Sequence, residues 1–479
     1  MSHYDPTQRR KINGRWYYPM PGDSERTVQL CGKMQHYGME RLYGEEDLSV
    51  VRSLLNSNLV PAEILYSMLA FTFLSPLNHF FKLAGHEPKF VLFLVGRTGS
   101  RKSTLAALFL SFFGRFTGAE LPLSFRDTAN SILHHAFALK DTLTCIDDFH
   151  PSARYEEKKL TDTAQTIMRA YGDRTGRGRL RPDASPQESR PPQGNAVITG
   201  EFPPDIGESG TARYFSLELH EGDVNLEVLT TFQRLAADGV LQRCMFGFVE
   251  WVRETWLSDL KHFTAVLKKN FEHHRDMFQK EHPTCHGRVL EAAAWLEIGM
   301  QMLLSFLCDT SQLDRSASNL HEKAFHDLLL KMIERQTVSI LEDKPTHKFH
   351  QNLYALIQSG QVCLLSKDVT HNDIPENCIG YEDDSMYYLF NETTYKTVRK
   401  FCKEQGVSFT ISPKALLKQL AEEGFLDGGS KQHTKSLRFN HQNKRVACLF
   451  RDKIEQLLSI PPEKESDSLS AQESDRSTQ

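Results

Sequence analysis

Eight consecutive residues, Gly96-Arg97-Thr98-Gly99-Ser100-Arg101-Lys102-Ser103, have the make-up of a loop that wraps phosphate. An unbroken apolar run, 90 to 95, precedes them, and a helical pattern, 104 to 113, follows. Strand, glycine-containing loop, Lys-Ser and helix is the order a Walker A loop requires. Backbone N–H groups must close around the β-phosphate there, so Cβ atoms are a hindrance and glycine is favoured. The helix that follows adds its positive dipole end. On this reading Gly96, Arg97, Thr98, Gly99, Ser100, Arg101, Lys102, Ser103 and Thr104 form the cradle for ATP. Lys102 reaches the β- and γ-phosphates, and the Ser103 hydroxyl binds Mg²⁺. Arg101 departs from the usual pattern, which has glycine directly before the lysine. It either alters the loop and weakens nucleotide binding or brings a second cation to the phosphates.

A second acidic feature lies downstream. Leu143-Thr144-Cys145-Ile146-Asp147-Asp148 reads as a short strand that ends in two carboxylates. The interval from Lys102 has room for a helix, a strand at 121 to 125, and a second helix at 128 to 139. That inserted strand is the mark of the additional-strand class of P-loop ATPases. In that class the first carboxylate holds Mg²⁺ through water and the second polarises the attacking water. Asp147 is therefore assigned to the metal and Asp148 to the base, although Asp is shorter than the more usual Glu. A further buried strand, 195 to 201, carries Thr199 as the expected γ-phosphate sensor, with Glu201 in support. Ser209-Gly210-Thr211-Ala212-Arg213 then leads into a last strand, 214 to 219. Arg213 stands where ring ATPases keep an arginine finger, the alternative being an ordinary pair with Glu208 or Glu218.

Between these strands runs Gly172-Asp173-Arg174-Thr175-Gly176-Arg177-Gly178-Arg179-Leu180-Arg181. Glycine gives this loop freedom and arginine suits it to phosphate. Three readings stay open: a nucleic-acid backbone in a channel, the nucleotide of a neighbouring subunit, or solvent alone.

Taken together, GRTGSRKST, CIDDFHP, GDRTGRGRLR, ITGE and TARYFSLEL resemble the helicase-like P-loop ATPases of bacterial mobile elements and prophages. Those proteins are similar to AAA+ and superfamily-three helicases, the MCM type included. The resemblance covers 90 to 219 well and the C-terminal segment loosely. It implies a Mg²⁺-ATP hydrolysing helicase or translocase for replication or maintenance of a mobile element. It also implies a homo-oligomeric ring, a hexamer being one candidate size, with DNA as partner. The departure is a short N-terminal part, so no primase activity is inferred. Two rivals remain: a P-loop kinase, and a non-hydrolysing nucleotide switch for which Arg101 is the best support.

These residues need a scaffold, and the rest of the chain supplies its outline. The protein has 479 residues, net charge −4, 25% charged and 40% apolar residues, which is ordinary globular composition. The expected fold class is α/β: an additional-strand, AAA+-like P-loop NTPase sheet, then a helical region, then a winged-helix domain. Expected boundaries are an N-terminal arm at 1–45, the ATPase domain with its helical lead-in at 46–225, helices at 226–345 read as lid and spacer, the winged-helix-like segment at 346–460, and a disordered tail at 461–479.

In the C-terminal segment the order is helix, strand, helix, helix, hairpin. Six basic residues (Lys431, Lys435, Arg438, Lys444, Arg445, Arg451) and no acidic one fall between Lys431 and Arg451. A basic wing is a nucleic-acid footprint, although such domains also pack only against their own protein. Nine scattered cysteines form no C-x-x-C pair, which argues against a disulfide framework or zinc ribbon. The apolar stretch 64 to 74 runs into Ser75-Pro76 and is too short to span a bilayer. No membrane association is expected, and the expected location is cytoplasmic.

Overall fold

A strand without polar side chains is satisfied only by burial on both faces, and the run after Phe90 meets that demand at the middle of a parallel sheet. The computed structural model describes residues 11–12, 15–16, 32–41, 44–151, 154–176, 189–371, 373–407, 409–427 and 433–458. Most of the expected arm, the second half of the arginine-rich loop (177–181) and the expected tail lie outside the described residues. A short ribbon, β1 (Lys11–Ile12) and β2 (Arg15–Trp16), comes first. Helices α1 (Glu45–Leu55), α2 (Ala62–Leu74) and α3 (Asn78–Leu83) lead to β3 (Val91–Val95). Then follow α4 (Lys102–Leu110), β4 (Leu123–Ser124), α5 (Ala129–Ala138), β5 (Leu143–Phe149) and α6 (Arg154–Asp173). The sheet is completed by β6 (Asn195–Gly200), α7 (Glu208–Thr211) and β7 (Tyr214–Glu218).

The strands are parallel, in the order β4-β5-β6-β3-β7. The strand between the loop-bearing β3 and the acidic β5 is thus β6. The strand expected at 121 to 125 is present but sits at the sheet edge. Pairing of Ile146 with Ile198 and of Leu94 with Thr199 brings the ends of β3, β5 and β6 side by side.

Five more helices follow: α8 (Leu226–Ala237), α9 (Val240–Thr255), α10 (Leu260–Glu281), α11 (Gly287–Asp309) and α12 (Arg315–Glu342). Their buried faces join the core of the sheet instead of forming a lid of their own. Phe90 lies 5.0 Å from Phe71 and stacks at 5.8 Å on Trp295, which in turn stacks on Phe271. One compact unit therefore runs from Met1 to Ile340.

The helical path does not stop where the apolar stretch meets Ser75-Pro76. A 3-10 turn, Ser75–Leu77, carries the chain from α2 into α3. Proline is tolerated there because an early position in a helical turn needs no N–H donor. Ala62–Leu83 and α11 are both long and apolar enough to cross a bilayer, but 89% and 83% of their apolar windows are buried inside the fold. They are core helices, packed together through Gly299, where an added Cβ would lie 2.3 Å from the carbonyl oxygen of Ala70.

The second unit, from Leu341 on, holds α13 (Pro345–Gln358), β8 (Cys363–Ser366), β9 (Cys378–Glu382), β10 (Met386–Leu389), α14 (Asn391–Glu404), α15 (Pro413–Glu422), β11 (Lys435–Phe439), β12 (Gln442–Phe450) and α16 (Arg451–Leu458). Its sheet order is β11-β12-β10-β9-β8. The expected helix, strand, helix, helix and hairpin are all there, inside a larger five-stranded sheet to which β8 and β9 are unforeseen additions. Ser412 caps α15 by accepting from the Ala415 N–H at 3.3 Å, as a serine before Pro413 should. The basic wing is partly neutralised. Lys435 pairs with Asp427 at 2.7 Å, and Arg451 pairs with Glu455 and Glu382. Lys444 lies over the Phe390 ring, and Lys431 is outside the described residues.

Candidate nucleotide site

Lys102 opens α4, two residues before the expected start. The first N–H groups of a helix have no partner within it, so those of α4 are turned to the loop. Glycine is required twice in that loop. Gly99 has φ +92, and a Cβ on Gly96 would lie 2.3 Å from the Leu219 carbonyl oxygen and 2.7 Å from Ser100 Oγ. Arg101, the N-cap of α4, adopts φ 70 and ψ 21. This is the left-handed region in which an L side chain is strained, and it accounts physically for the glycine usual at this place.

Lys102 Nζ donates to the loop carbonyls of Gly96 and Arg97 at 2.5 and 2.9 Å. Burial lowers its pKa, against the pull of Glu201, Asp147 and Asp148 in that order. Next to it, Ser103 Oγ donates to Asp147 Oδ1 at 2.8 Å. Thr199 Oγ1 donates to the same oxygen at 2.6 Å and accepts from the Asp148 N–H at 3.0 Å. Thr199 is 1% exposed. Its hydroxyl is held between the Asp147 carboxylate and the Asp148 N–H.

Asp148 diverges from this group. Its φ is 67, and its carboxylate faces Arg126 at 3.7 Å with about half of the side chain, 49%, exposed. Glu201, just past β6, accepts instead from the Thr98 hydroxyl and lies 2.8 Å from His150 Nδ1. The Thr98 hydroxyl, ahead of burial and of His150, holds its carboxyl below the usual range. His150 escaped the sequence reading. Its only signal there was its place directly after the acidic strand.

Arg213 is remote from these groups. Its carbonyl accepts from the Val91 N–H, at the opposite end of β3 from the loop. Five strand residues at roughly 3.3 Å each separate it from its own phosphate loop. Its guanidinium is taken up by Asp173 at 3.1 Å and by Ser209 Oγ at 2.6 Å. Asp173 is shared with Arg288 at 2.9 Å. Neither Glu208 nor Glu218, the pairs foreseen for Arg213, is the partner found.

The residues fit a Mg²⁺-nucleotide. One hydroxyl and one carboxylate, Ser103 and Asp147, make a small all-oxygen set. A cation that keeps its waters and takes phosphate oxygens needs no more. No cluster of three or more His, Cys, Asp or Glu suited to a metal occurs among the described residues. Within the loop, Ser100 Oγ is buried without a hydrogen-bond partner among the described residues, and the Gly96 and Gly99 positions leave backbone where side chains would intrude.

No family model and no curated protein matches the chain. A solved structure described as the active helicase Cch of SCCmec type IV is similar, with a TM-score of 0.56 and 14% identity over 88% of this chain and 73% of that one. The chain thus has a helicase-like α/β fold, with a five-stranded parallel sheet at its centre.

Proposed function

We propose that this protein is a Mg²⁺-dependent ATPase of the additional-strand, AAA+-like class, and that hydrolysis drives a DNA helicase or translocase serving a mobile genetic element. The observation that carries the reading is the convergence of Ser103 and Thr199 on Asp147 Oδ1, beside Lys102 and a glycine-bearing loop. In it, Gly96 to Thr104 cradle the phosphates and Lys102 leaves the loop carbonyls for the β- and γ-phosphates. Ser103 and Asp147 hold Mg²⁺, which when bound neutralises charge on those phosphates. Thr199 keeps Asp147 in place. Arg213 lies too far from its own loop to touch its own nucleotide. As a finger it therefore serves a neighbouring copy in a homo-oligomeric ring, once released from Asp173. The arginine-rich loop and the C-terminal winged-helix-like unit supply DNA contact, and the place of work is the cytoplasm. The words "active helicase" in the description of the similar structure belong to that protein and lend the motor reading support by fold alone.

A second reading, a nucleotide switch without turnover, draws on the strained Arg101 and on Asp148 turned toward Arg126. Steady-state ATP hydrolysis with and without single-stranded DNA, for the native protein and Lys102→Ala, separates the two. A DNA-stimulated rate that falls by about a hundredfold or more in the variant is expected, since removing one preorganised phosphate contact costs that much. Binding without turnover in the native protein favours the switch.

A further inference from the structure

The two carboxylates that close β5 part company, Asp147 to Ser103 and Asp148 to Arg126. A third carboxylate also reaches the loop. Glu201 is bonded to the hydroxyl of Thr98, itself a residue of the phosphate loop, and its other oxygen faces His150 Nδ1 at 2.8 Å. Thr98, His150 and Glu201 come from the ends of three neighbouring strands, β3, β5 and β6. A group within hydrogen-bond reach of Thr98 lies on the rim of the cradle. The described charged partner of the Asp148 carboxylate, Arg126, lies outside the loop. Glutamate also has the reach that an aspartate at the end of β5 lacks.

We infer that Glu201 is the carboxylate that takes the proton of the attacking water, and that His150 is a positioning residue that fixes its orientation. The inference rests on the hydrolysis reading above. In the step, the water oxygen bonds to the γ-phosphorus as the bond from that phosphorus to the β–γ bridging oxygen breaks. The electron pair of the broken bond stays on the β-phosphate of ADP. The water proton goes to Glu201, which releases it to solvent as inorganic phosphate leaves. Lys102, Ser103 and Asp147 keep their binding roles. Thr98 and His150 hold the carboxylate until nucleotide is seated.

The test uses the full chain with Mg²⁺-ATP and two readouts: single-turnover cleavage, and affinity for a fluorescent ATP analogue. Glu201→Gln should bind the analogue within about threefold of native and cleave about a hundredfold more slowly, the scale of a lost general base. Asp148→Asn should lose less than about tenfold in cleavage, less than a lost base costs. His150→Ala should lose about tenfold in cleavage at unchanged affinity. His150→Asn, whose side-chain amide takes the place of Nδ1, should regain most of it. If Glu201→Gln fails to fold, Glu201→Asp replaces it, with the charge withdrawn by one methylene and at least about a tenfold loss expected. Cleavage by Glu201→Gln within about threefold of native overturns the assignment, as does a hundredfold loss confined to Asp148→Asn. Native protein that binds the analogue and never cleaves ATP overturns it too. Absence of nucleotide binding, or binding undiminished in Lys102→Ala, defeats the underlying nucleotide reading instead.

Discussion

At the scale of single residues, Arg101 is where local conformation and site chemistry conflict. A non-glycine residue in the left-handed region costs about 1–2 kcal/mol, while glycine there costs about 0.5–1 kcal/mol in unfolded-chain entropy. The difference favours glycine at φ 70, and arginine is in addition a poor N-cap. Arg101→Gly is therefore expected to raise the unfolding free energy by about 0.5–1 kcal/mol in urea titrations. No gain, or a loss, would mean that the Arg101 side chain makes up for its backbone through contacts of its own. The loop motif, the two carboxylates and Thr199 are legible in the sequence because each closes an apolar run and chemistry fixes its type. The direction of Asp148 is not legible. It follows from one positive φ and the register shift between Ile146 and Phe149, and a residue type does not encode either. His150 is illegible for a similar reason, since its meaning comes from Glu201 on another strand.

At the scale of elements, what is legible is what local pattern dictates. The apolar run gives β3, and Thr128 caps α5 by accepting from the Ser131 N–H at 3.3 Å. Strand order is set by partners distant in the chain, so the place of β6 between β3 and β5 cannot be read locally. Strands β8 and β9 fail for the same reason: four and five residues long, with no clear alternation, they are made strands by their neighbours, β8 by β9 and β9 by β8 and β10. Helix contacts follow the same rule, and α11 offers a test within one helix. An alanine at Gly299 meets the Ala70 carbonyl oxygen at 2.3 Å, whereas one at Gly287 meets nothing within 4 Å. Overpacking of about 1–3 kcal/mol outweighs the gain of up to about 1 kcal/mol in helix propensity. Gly299→Ala should thus lower the unfolding free energy by about 1–2 kcal/mol, and Gly287→Ala should leave it equal or higher. Equal effects at the two positions would dismiss the close approach of α2 and α11 as the cause.

At the scale of the whole molecule, the two units have separate cores, and their responses to acid should separate as well. In the second unit His350 is fully buried against Phe349 and Phe425, with no hydrogen-bond partner at either ring nitrogen among the described residues. Burial first, then the neighbouring His347, pushes its pKa down to about 3 from 6.5. The folded unit binds fewer protons at this site than the unfolded chain, so the contribution is complete above pH 6.5 and is lost as pH falls toward 3. Each pH unit below 6.5 costs about 1.4 kcal/mol, or about 3 kcal/mol at pH 4.5. In the first unit the shifts partly oppose one another. Burial lowers His135, His274, His286 and His321, while the Glu297 carboxylate, 3.6 Å away, raises His326, whose contribution is kept in acid and lost as pH rises through its folded pKa. All four tryptophans lie in the first unit, so their fluorescence reports that unit alone. Acid titration of the full chain should therefore show hydrogen-exchange protection of α13 and β12 falling before tryptophan emission changes. His350→Leu should remove the early step, because an apolar side chain has no proton to gain, and should stabilise the unit at neutral pH by relieving two unpaired polar atoms. Protection that holds from pH 7 to 4.5, or that falls equally in His350→Leu, would take the acid response away from His350. It would then belong to Asp383, whose carboxyl is held below the usual range by hydrogen bonds from Tyr388, Ser385 and Lys367 against its burial.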